Sequence, residues 1–330
     1  EISCSLVGSE MCIRDRYMKN IYLLKSPSYI ISMKVTRIRE EIFIMNLIAI
    51  DIGGTTIKIA TWINKKLKMV FTVDTPDNLE TFYHKLSDAV NEIKTNNKID
   101  GVAISSPGAV NKKTGVIEGA SALPYIHNFK IVPELEKRFG LPVSIENDAN
   151  CAALAELVAG SAKDCRSMAF LVIGTGVGGS VIINNQIWHG AHLYGGEFGF
   201  MIIDGQQLSV LASPVSMAKR YNEKTGKNFD GKTVFELADT DDLVAQEERG
   251  KLIHALATAI YNIQHSFDPE KIIIGGGISQ NQELIPLLND EISKIRNKLD
   301  IATVKPILDI CTLKNEANLR GAVADFEKEH

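Results

Sequence analysis

The sequence predicts an α/β protein of two lobes facing each other across a cleft. Three observations predict it. A short apolar strand, a glycine turn and a second strand stand together at Leu47–Trp62 and again at Met168–Ile183. After each of these units, strand-sized apolar runs alternate with segments of helical spacing. The chain has 330 residues, 45% hydrophobic and 23% charged, an ordinary globular composition with length enough for two packed domains.

In the first half, Leu47–Ile50 is an apolar strand that ends in Asp51-Ile-Gly-Gly-Thr-Thr56. Ile57–Trp62 alternates as a second strand and Lys68–Val73 as a third, a meander with a glycine turn. Leu79–Ile93 carries Phe82, Leu86, Val90 and Ile93 at helical spacing, and Gly101–Ile104 is a buried strand running into Ser105-Ser-Pro-Gly108. A strand at Pro142–Ile145 leads through Glu146-Asn-Asp-Ala-Asn150 into the alanine-rich Cys151–Val158.

The second half repeats the plan. Met168–Ile173 is a strand, Gly174-Thr-Gly-Val-Gly-Gly179 a turn, Ser180–Ile183 a strand and Asn184-Asn185 a further turn. Lys271–Gly275 is a strand opening into Gly275-Gly-Gly277, before a helix over Gln282–Lys298 whose Leu284, Leu287, Leu288 and Ile292 form one face. The expected lobes are residues 45–152 and 153–330, with the C-terminal helix packing back on the first. Residues 1–44 lack periodicity and capping chemistry, and Leu6–Arg16 resembles a translated sequencing adapter. They are expected to be a non-native or disordered extension, with Met45 as the natural start, against the alternative of a genuine N-terminal arm or targeting peptide.

Composition excludes several classes. A formal charge of −4 creates no global field for nucleic acid or an anionic membrane, and no apolar run approaches the roughly 20 residues a membrane helix needs. The five cysteines form no C-x-x-C pair and have no histidine at metal-ligand spacing, so a reduced cytoplasmic protein without zinc is expected. A small ligand fits this chain better than a macromolecule.

The motifs carry phosphate chemistry. In Asp51-Ile-Gly-Gly-Thr55, Gly53 and Gly54 let backbone N–H groups approach a phosphate, Thr55 can donate its hydroxyl, and Asp51 can hold magnesium through water; a plain hairpin turn would also use Gly-Gly. Gly174-Thr-Gly-Val-Gly-Gly179 spells G-x-G-x-x-G, but a dinucleotide fingerprint must open a helix, and here a hairpin follows. It reads as a second phosphate loop through Gly174, Thr175, Gly176, Gly178 and Gly179. The turn Gly275, Gly276 and Gly277 suits a nucleotide approaching the backbone, and equally simple strand-to-helix packing. Two amides and two carboxylates in Glu146–Asn150 suit a polyol reader, although Asn and Asp there also suit a helix N-cap. A carboxylate taking the proton of an attacking hydroxyl is what phosphoryl transfer to an alcohol requires. Glu197, among glycines and aromatics, reads as a second hydroxyl acceptor, against the alternative of a surface-turn glutamate.

Asp51–Thr55, Ser106-Pro-Gly108, Glu146–Asn150, Ile173–Gly179, Gly196-Glu-Phe-Gly199 and Ile274–Gly277 together resemble the ordered motif set of the ROK family of sugar kinases, from Leu47 to about Ala324. The resemblance implies the two-lobed actin-like ATPase fold, a duplicated ribonuclease H-like unit. It also implies ATP and magnesium as cofactors, with Lys58 beside the first loop, Asp148 as general base, Asn147, Glu197 and Gly108 at a sugar, and a homodimer. Phe200 stands where many members have a zinc-loop histidine, Ser209 falls where a sugar-reading glutamate would be, and Ala122 replaces a common asparagine. This zinc-free pattern resembles the β-glucoside kinase branch most closely. Phosphorylation of a hexose or β-glucoside at the 6-hydroxyl is the expected activity. Glucokinase and N-acetylmannosamine kinase are the enzymatic alternatives. A sugar-responsive repressor is the non-enzymatic one, disfavoured because the first 44 residues show no helix-turn-helix.

Overall fold

The computed structural model describes residues 45–298 and 304–330, so the expectation for residues 1–44 lies outside the described residues. In chain order, β1 (Leu47–Ile52), β2 (Thr56–Ile63) and β3 (Lys66–Asp74) form the meander, followed by α1 (Leu79–Asn96) and β4 (Gly101–Ser106). A small hairpin of β5 (Ala109–Asn111) and β6 (Val116–Glu118) precedes α2 (Ile131–Phe139), β7 (Val143–Asn147) and α3 (Asp148–Ala159). The second meander is β8 (Met168–Ile173), β9 (Val177–Ile183) and β10 (Gln186–Ile187), and a second hairpin is β11 (Ile202–Ile203) with β12 (Gln206–Gln207). Then come α4 (Leu208–Ala212), α5 (Pro214–Thr225), α6 (Gly231–Leu237), α7 (Leu243–Phe267), β13 (Lys271–Gly275), α8 (Leu284–Asn297), β14 (Leu308–Ile310) and α9 (Ala317–Glu329).

The duplication is written into the sheets. One has the order β3-β2-β1-β4-β7 and the other β10-β9-β8-β13-β14. Each meander is antiparallel, and each sheet then continues through two parallel strands, β1 with β4 and β7, β8 with β13 and β14. Parallel strands are covered on both faces, which is why β1 and β4 are buried along their whole length rather than alternating. α1 shows the local rules at work: Asn78 caps it by accepting the Thr81 N–H, and Phe82, Leu86, Val90 and Ile93 bury one stripe.

Two boundaries in the second half shift in ways that bear on the glycine motifs. The turn after β8 is only Gly174–Gly176, because Gly178 and Gly179 pair in the ladder with Val172 and Leu171. A methyl group on Gly179 would fall 2.5 Å from the Phe170 carbonyl oxygen and from the Phe198 ring, so packing within the protein requires glycine there. After β13 the chain makes a 3₁₀ turn over Gly277–Gln280, and α8 begins at Leu284 rather than Gln282.

Two helices tie the sheets together. α9 buries Leu319, Ala322, Val323 and Phe326 against Leu47, Ala49 and Ala103 of the first sheet. α3 buries Ala153, Leu154 and Leu157 in a cluster with Met168, Phe170 and Ile182 of the second. Burial of Phe326 contributes about 1.5–3 kcal/mol. α3 and α9 cross so closely that a methyl on Gly321 would lie 1.7 Å from the Cys151 carbonyl oxygen. The junction that starts α3 is therefore held from both sheets, and that junction carries the candidate site.

Candidate active site

β7 ends in Glu146-Asn147, and Asp148 is the first residue of α3. Asn147 caps the helix: its Oδ1 accepts the N–H groups of Ala149 (2.9 Å) and Asn150 (3.1 Å). Its Nδ2 donates to the Gly108 carbonyl (3.0 Å) and to Asp148 Oδ1 (3.0 Å). Three residues expected at a sugar thus form one connected group. Gly108 adopts φ +98°, where L side chains are strained, and a methyl there would lie 2.6 Å from the His127 ring.

Burial pushes the Asp148 carboxyl up to about 6; the Ala149 N–H opposes the shift, while the charges of Asp51 and Glu197 add to it. Asp51 and Glu197, both far from Asp148 in sequence, are therefore each close enough for Asp148 to feel their charge. Glu197 is exposed at the rim, yet the surrounding protein strips enough water to raise its carboxyl as well.

Asp51, at the end of β1, is buried, and its Oδ1 accepts Ser105 Oγ (3.0 Å) and Asn318 Nδ2 (3.0 Å). Lys58 Nζ stands 3.7 Å from Asp51 Oδ2. Gly53 donates its N–H to the Thr56 carbonyl (3.0 Å), closing the turn. A methyl on Gly54 would meet the Ala122 side chain at 3.2 Å. Thr55 is exposed at the crest of this loop, and its carbonyl accepts the Thr75 N–H (2.9 Å).

In the second half, Gly174, Thr175 and Gly277 line one cavity of about 640 Å³ with Pro214, Val215, Phe235, Ile278 and Asn281. Gly174 and Gly277 face open space where a methyl would meet nothing within 4 Å. Gly275 and Gly276 are held by close approach: a methyl on the first would meet the Phe170 ring at 2.7 Å, and on the second, at φ +85°, the Ile173 carbonyl at 2.2 Å. Gly176 and Gly178 sit beside Ser209 and Val172 respectively.

The structure corrects one expectation at the polyol reader. Only Asn147 and Asp148 are partly open; Glu146 and Asn150 are buried and bound to each other, Asn150 Nδ2 donating to Glu146 Oε1 (2.9 Å). Alternation along β7 turns Glu146 inward, and helical spacing then places Asn150 beside it. Ser209 also has a structural occupation. Its Oγ accepts the Val177 N–H (3.0 Å) and stands 3.2 Å from the Val177 carbonyl, pinning α4 to β9. Sequence reasoning missed Ser105 and Asn318, which hold Asp51, and the apolar lining Pro214, Val215 and Phe235. Asn318 has no motif around it; a polar residue on the buried stripe of an amphipathic helix was the only signal.

Among the described residues, no group of three or more His, Cys, Asp or Glu is placed to hold a metal ion, and no helix is long and apolar enough to cross a membrane.

A two-lobed fold with a carboxylate at the mouth of one sheet and a glycine-lined cavity at the mouth of the other defines a class, and comparison with known proteins names the family. Residues 47–329 match the ROK family profile, and the chain belongs to that family. A β-glucoside kinase of Listeria monocytogenes is 31% identical over 296 residues, covering 86% of this chain and 98% of the relative. A ROK family protein of Streptococcus pneumoniae TIGR4, solved in complex with sucrose, is 37% identical with a TM-score of 0.79, covering 86% of this chain and 99% of that one. A ROK family glucokinase of Streptomyces griseus, solved with glucose and AMPPNP, is 26% identical with a TM-score of 0.68, covering 86% of this chain and 100% of that one.

Proposed function

We propose that this protein is an ATP-dependent sugar kinase that transfers the γ-phosphoryl group to the 6-hydroxyl of a β-glucoside or hexose, with Asp148 as general base. The observation that carries the reading is the state of Asp148. Its carboxyl is desolvated and titrates near 6, so at neutral pH it is ionised yet a better proton acceptor than an ordinary aspartate. It sits beside Asn147, which can donate to a sugar oxygen once a substrate competes for its amide, and within electrostatic reach of Glu197, the proposed second hydroxyl acceptor.

The glycine-lined cavity beside Gly174, Thr175 and Gly277 suits the nucleotide, its apolar walls Val215, Phe235 and Ile278 facing a base. Asp51 and the turn through Gly53, Gly54 and Thr55 suit the phosphates, with Lys58 adding positive charge. Magnesium needs only one or two carboxylates besides substrate phosphates and water, and Asp51 fits that requirement. When bound there, the ion neutralises charge on the phosphates. What the chain's own residues do is separate: Ser105 and Asn318 fix the Asp51 carboxylate, Asn147 orients Asp148, and Asp148 accepts the hydroxyl proton.

The β-glucoside preference rests on the rim. Phe200 and Tyr194 are 58% and 66% exposed, with ring centroids 6.2 Å apart, close in sequence to Glu197. Ser209 already serves the Val177 backbone and offers no carboxylate to a bare anomeric hydroxyl. An aromatic face beside a missing polar reader favours a second ring over free glucose.

A screen of ADP release against cellobiose, gentiobiose, aryl β-glucosides, glucose and N-acetylmannosamine tests the reading. The expected ranking puts β-linked substrates above glucose in kcat/KM. Inert β-glucosides with brisk turnover of glucose or N-acetylmannosamine would move the chain to one of those activities. No sugar-dependent ADP release at all would remove the kinase reading.

A further inference from the structure

Behind the candidate base lies a buried charge cluster for which phosphoryl transfer to Asp148's substrate has no direct use. Glu146 is two residues before Asp148, and its side chain is 1% exposed. Its Oε1 accepts the Asn147 N–H (2.7 Å) and Asn150 Nδ2 (2.9 Å), and its Oε2 meets His189 Nε2 at 2.8 Å. One carboxylate therefore brackets the turn between β7 and α3 from two sides. Lys112 donates to the Ile145 carbonyl (3.0 Å) and pairs with Asp325 (2.5 Å) and Glu329 (2.9 Å) of α9, so the charged groups facing this cluster are Lys112, His189, Asp325 and Glu329.

His189 comes from the other half of the molecule. It follows β10 of the second sheet, and its mount is rigid: Trp188 N–H bonds the Val181 carbonyl (2.8 Å) and the His189 carbonyl accepts the Gly195 N–H (2.9 Å). A methyl on Gly195 would lie 2.0 Å from the Trp188 carbonyl, and the Trp188 ring packs on Phe267 of α7 at 5.5 Å. A histidine held this firmly by the second half, bonded to the carboxylate that brackets the turn of the first, fixes where that turn sits relative to the glycine-lined cavity.

We propose that His189 is a positioning residue for phosphoryl transfer, acting through Glu146 to hold the turn that presents Asp148 toward the opposite half of the molecule. The inference rests on the reading of Asp148 as the base. Electrostatics agrees with the geometry: although desolvation opposes it, the His189 hydrogen bond and charge, with Lys112 and Asn150, hold the Glu146 carboxyl below its usual range, and the same bond raises His189. An imidazole N–H donated to a carboxylate held in its ionised form makes a stronger hydrogen bond than a neutral pair. A truncated partner would leave the buried Glu146 Oε2 without its hydrogen-bond partner, and a turn that drifts by a fraction of an ångström loses the attack geometry.

Steady-state kinetics of the full chain, with ATP, magnesium and whichever sugar the parent turns over fastest, tests this through His189→Ala and His189→Gln. Misplacement by about 1 Å can cost on the order of 100-fold, so His189→Ala is expected to lose about 10- to 100-fold in kcat with the sugar KM changed less than about threefold. Glutamine, which keeps an N–H donor, is expected to recover most of that loss, and imidazole added to the alanine variant to restore part of it. A folded alanine variant turning over within about twofold of the parent, or a rise in KM in place of a fall in kcat, overturns the proposal. If the alanine variant does not fold, the glutamine variant decides: near-parental turnover supports the role, and a folded but equally crippled glutamine variant overturns it. An inactive parent would instead sink the kinase reading, and an active parent indifferent to Asp148→Asn would sink the base.

Discussion

The two halves share one topology and differ at the ends of their strands. In the first, β1 ends in Asp51-Ile52, β4 in Ser105-Ser106 and β7 in Glu146-Asn147 before Asp148, so carboxylates, hydroxyls and amides gather where the parallel strands stop. In the second, the corresponding ends are Ile173 before Gly174, Gly275 before Gly276, and Ile310 before Cys311, and what gathers is glycine and apolar surface around a cavity. The two frames are the same in strand order; the residues at three strand ends set them apart, and the proposed function puts proton transfer at the first and the nucleotide at the second. Ligands in open α/β sheets bind outside the carboxyl ends of strands, and the proposed site of each half lies at such an end.

The division of labour breaks most sharply at Asp148. Asp148→Asn keeps the size and the helix start but removes the proton acceptor, and is expected to lower kcat by about 10²- to 10⁴-fold while sugar and nucleotide binding, measured by calorimetry, persist. Undiminished turnover would take the chemistry out of the first half.

Next in size is the joint between the halves. Gly321→Ala forces a methyl into the Cys151 backbone, and is expected to destabilise the protein by about 3 kcal/mol, the upper end of overpacking penalties, because backbone cannot swing aside as a side chain can. Urea denaturation measures it. An unchanged midpoint would mean that α3 and α9 separate more easily than their packing implies.

The pH dependence sharpens the comparison. Protonated Asp148 cannot accept a proton, so kcat/KM is expected to rise with pH through about 6. The same shift costs stability. The folded carboxyl holds its proton from the ordinary 3.8 up to about 6 while the unfolded one has released it, so stability falls as pH rises across that window. Asp148→Asn should therefore be more stable than the parent above pH 6, with the difference vanishing toward pH 4. Equal melting temperatures at pH 5 and pH 7.5 in the two proteins would show that the carboxyl is better hydrated than its surroundings suggest.

The smallest expected effect is at the rim. Phe200→Ala is expected to cost about 1–2 kcal/mol in kcat/KM for a β-linked disaccharide and little for glucose. Equal losses on both substrates would mean that the ring supports Glu197 rather than an aglycone.

Much of this was legible in the sequence because the frame is local. Each strand, glycine turn and strand sits within about 16 consecutive residues, and the two copies announce each other. The helix start at Glu146–Asn150 was legible as well: Asn147 performs the capping that Asn and Asp there suggest, and Asp148, the expected base, stays partly open. What escaped depends on distance or on direction. Asn318 reaches Asp51 across 267 positions, and nothing near either residue encodes that meeting. Glu146 and Asn150 looked like ligand readers because composition does not say which way a side chain at a strand end points. His189 stood in a glycine-rich loop with no signal until Glu146 was seen facing it.

Phosphorus NMR of a reaction mixture containing the parent protein, ATP, magnesium and cellobiose tests the central claim most directly. The account predicts one sugar 6-phosphate formed on the non-reducing ring for each ADP released, and none when Asp148→Asn replaces the parent over the same time. ADP accumulating without a sugar phosphate, or an undiminished sugar phosphate signal from the variant, would contradict it.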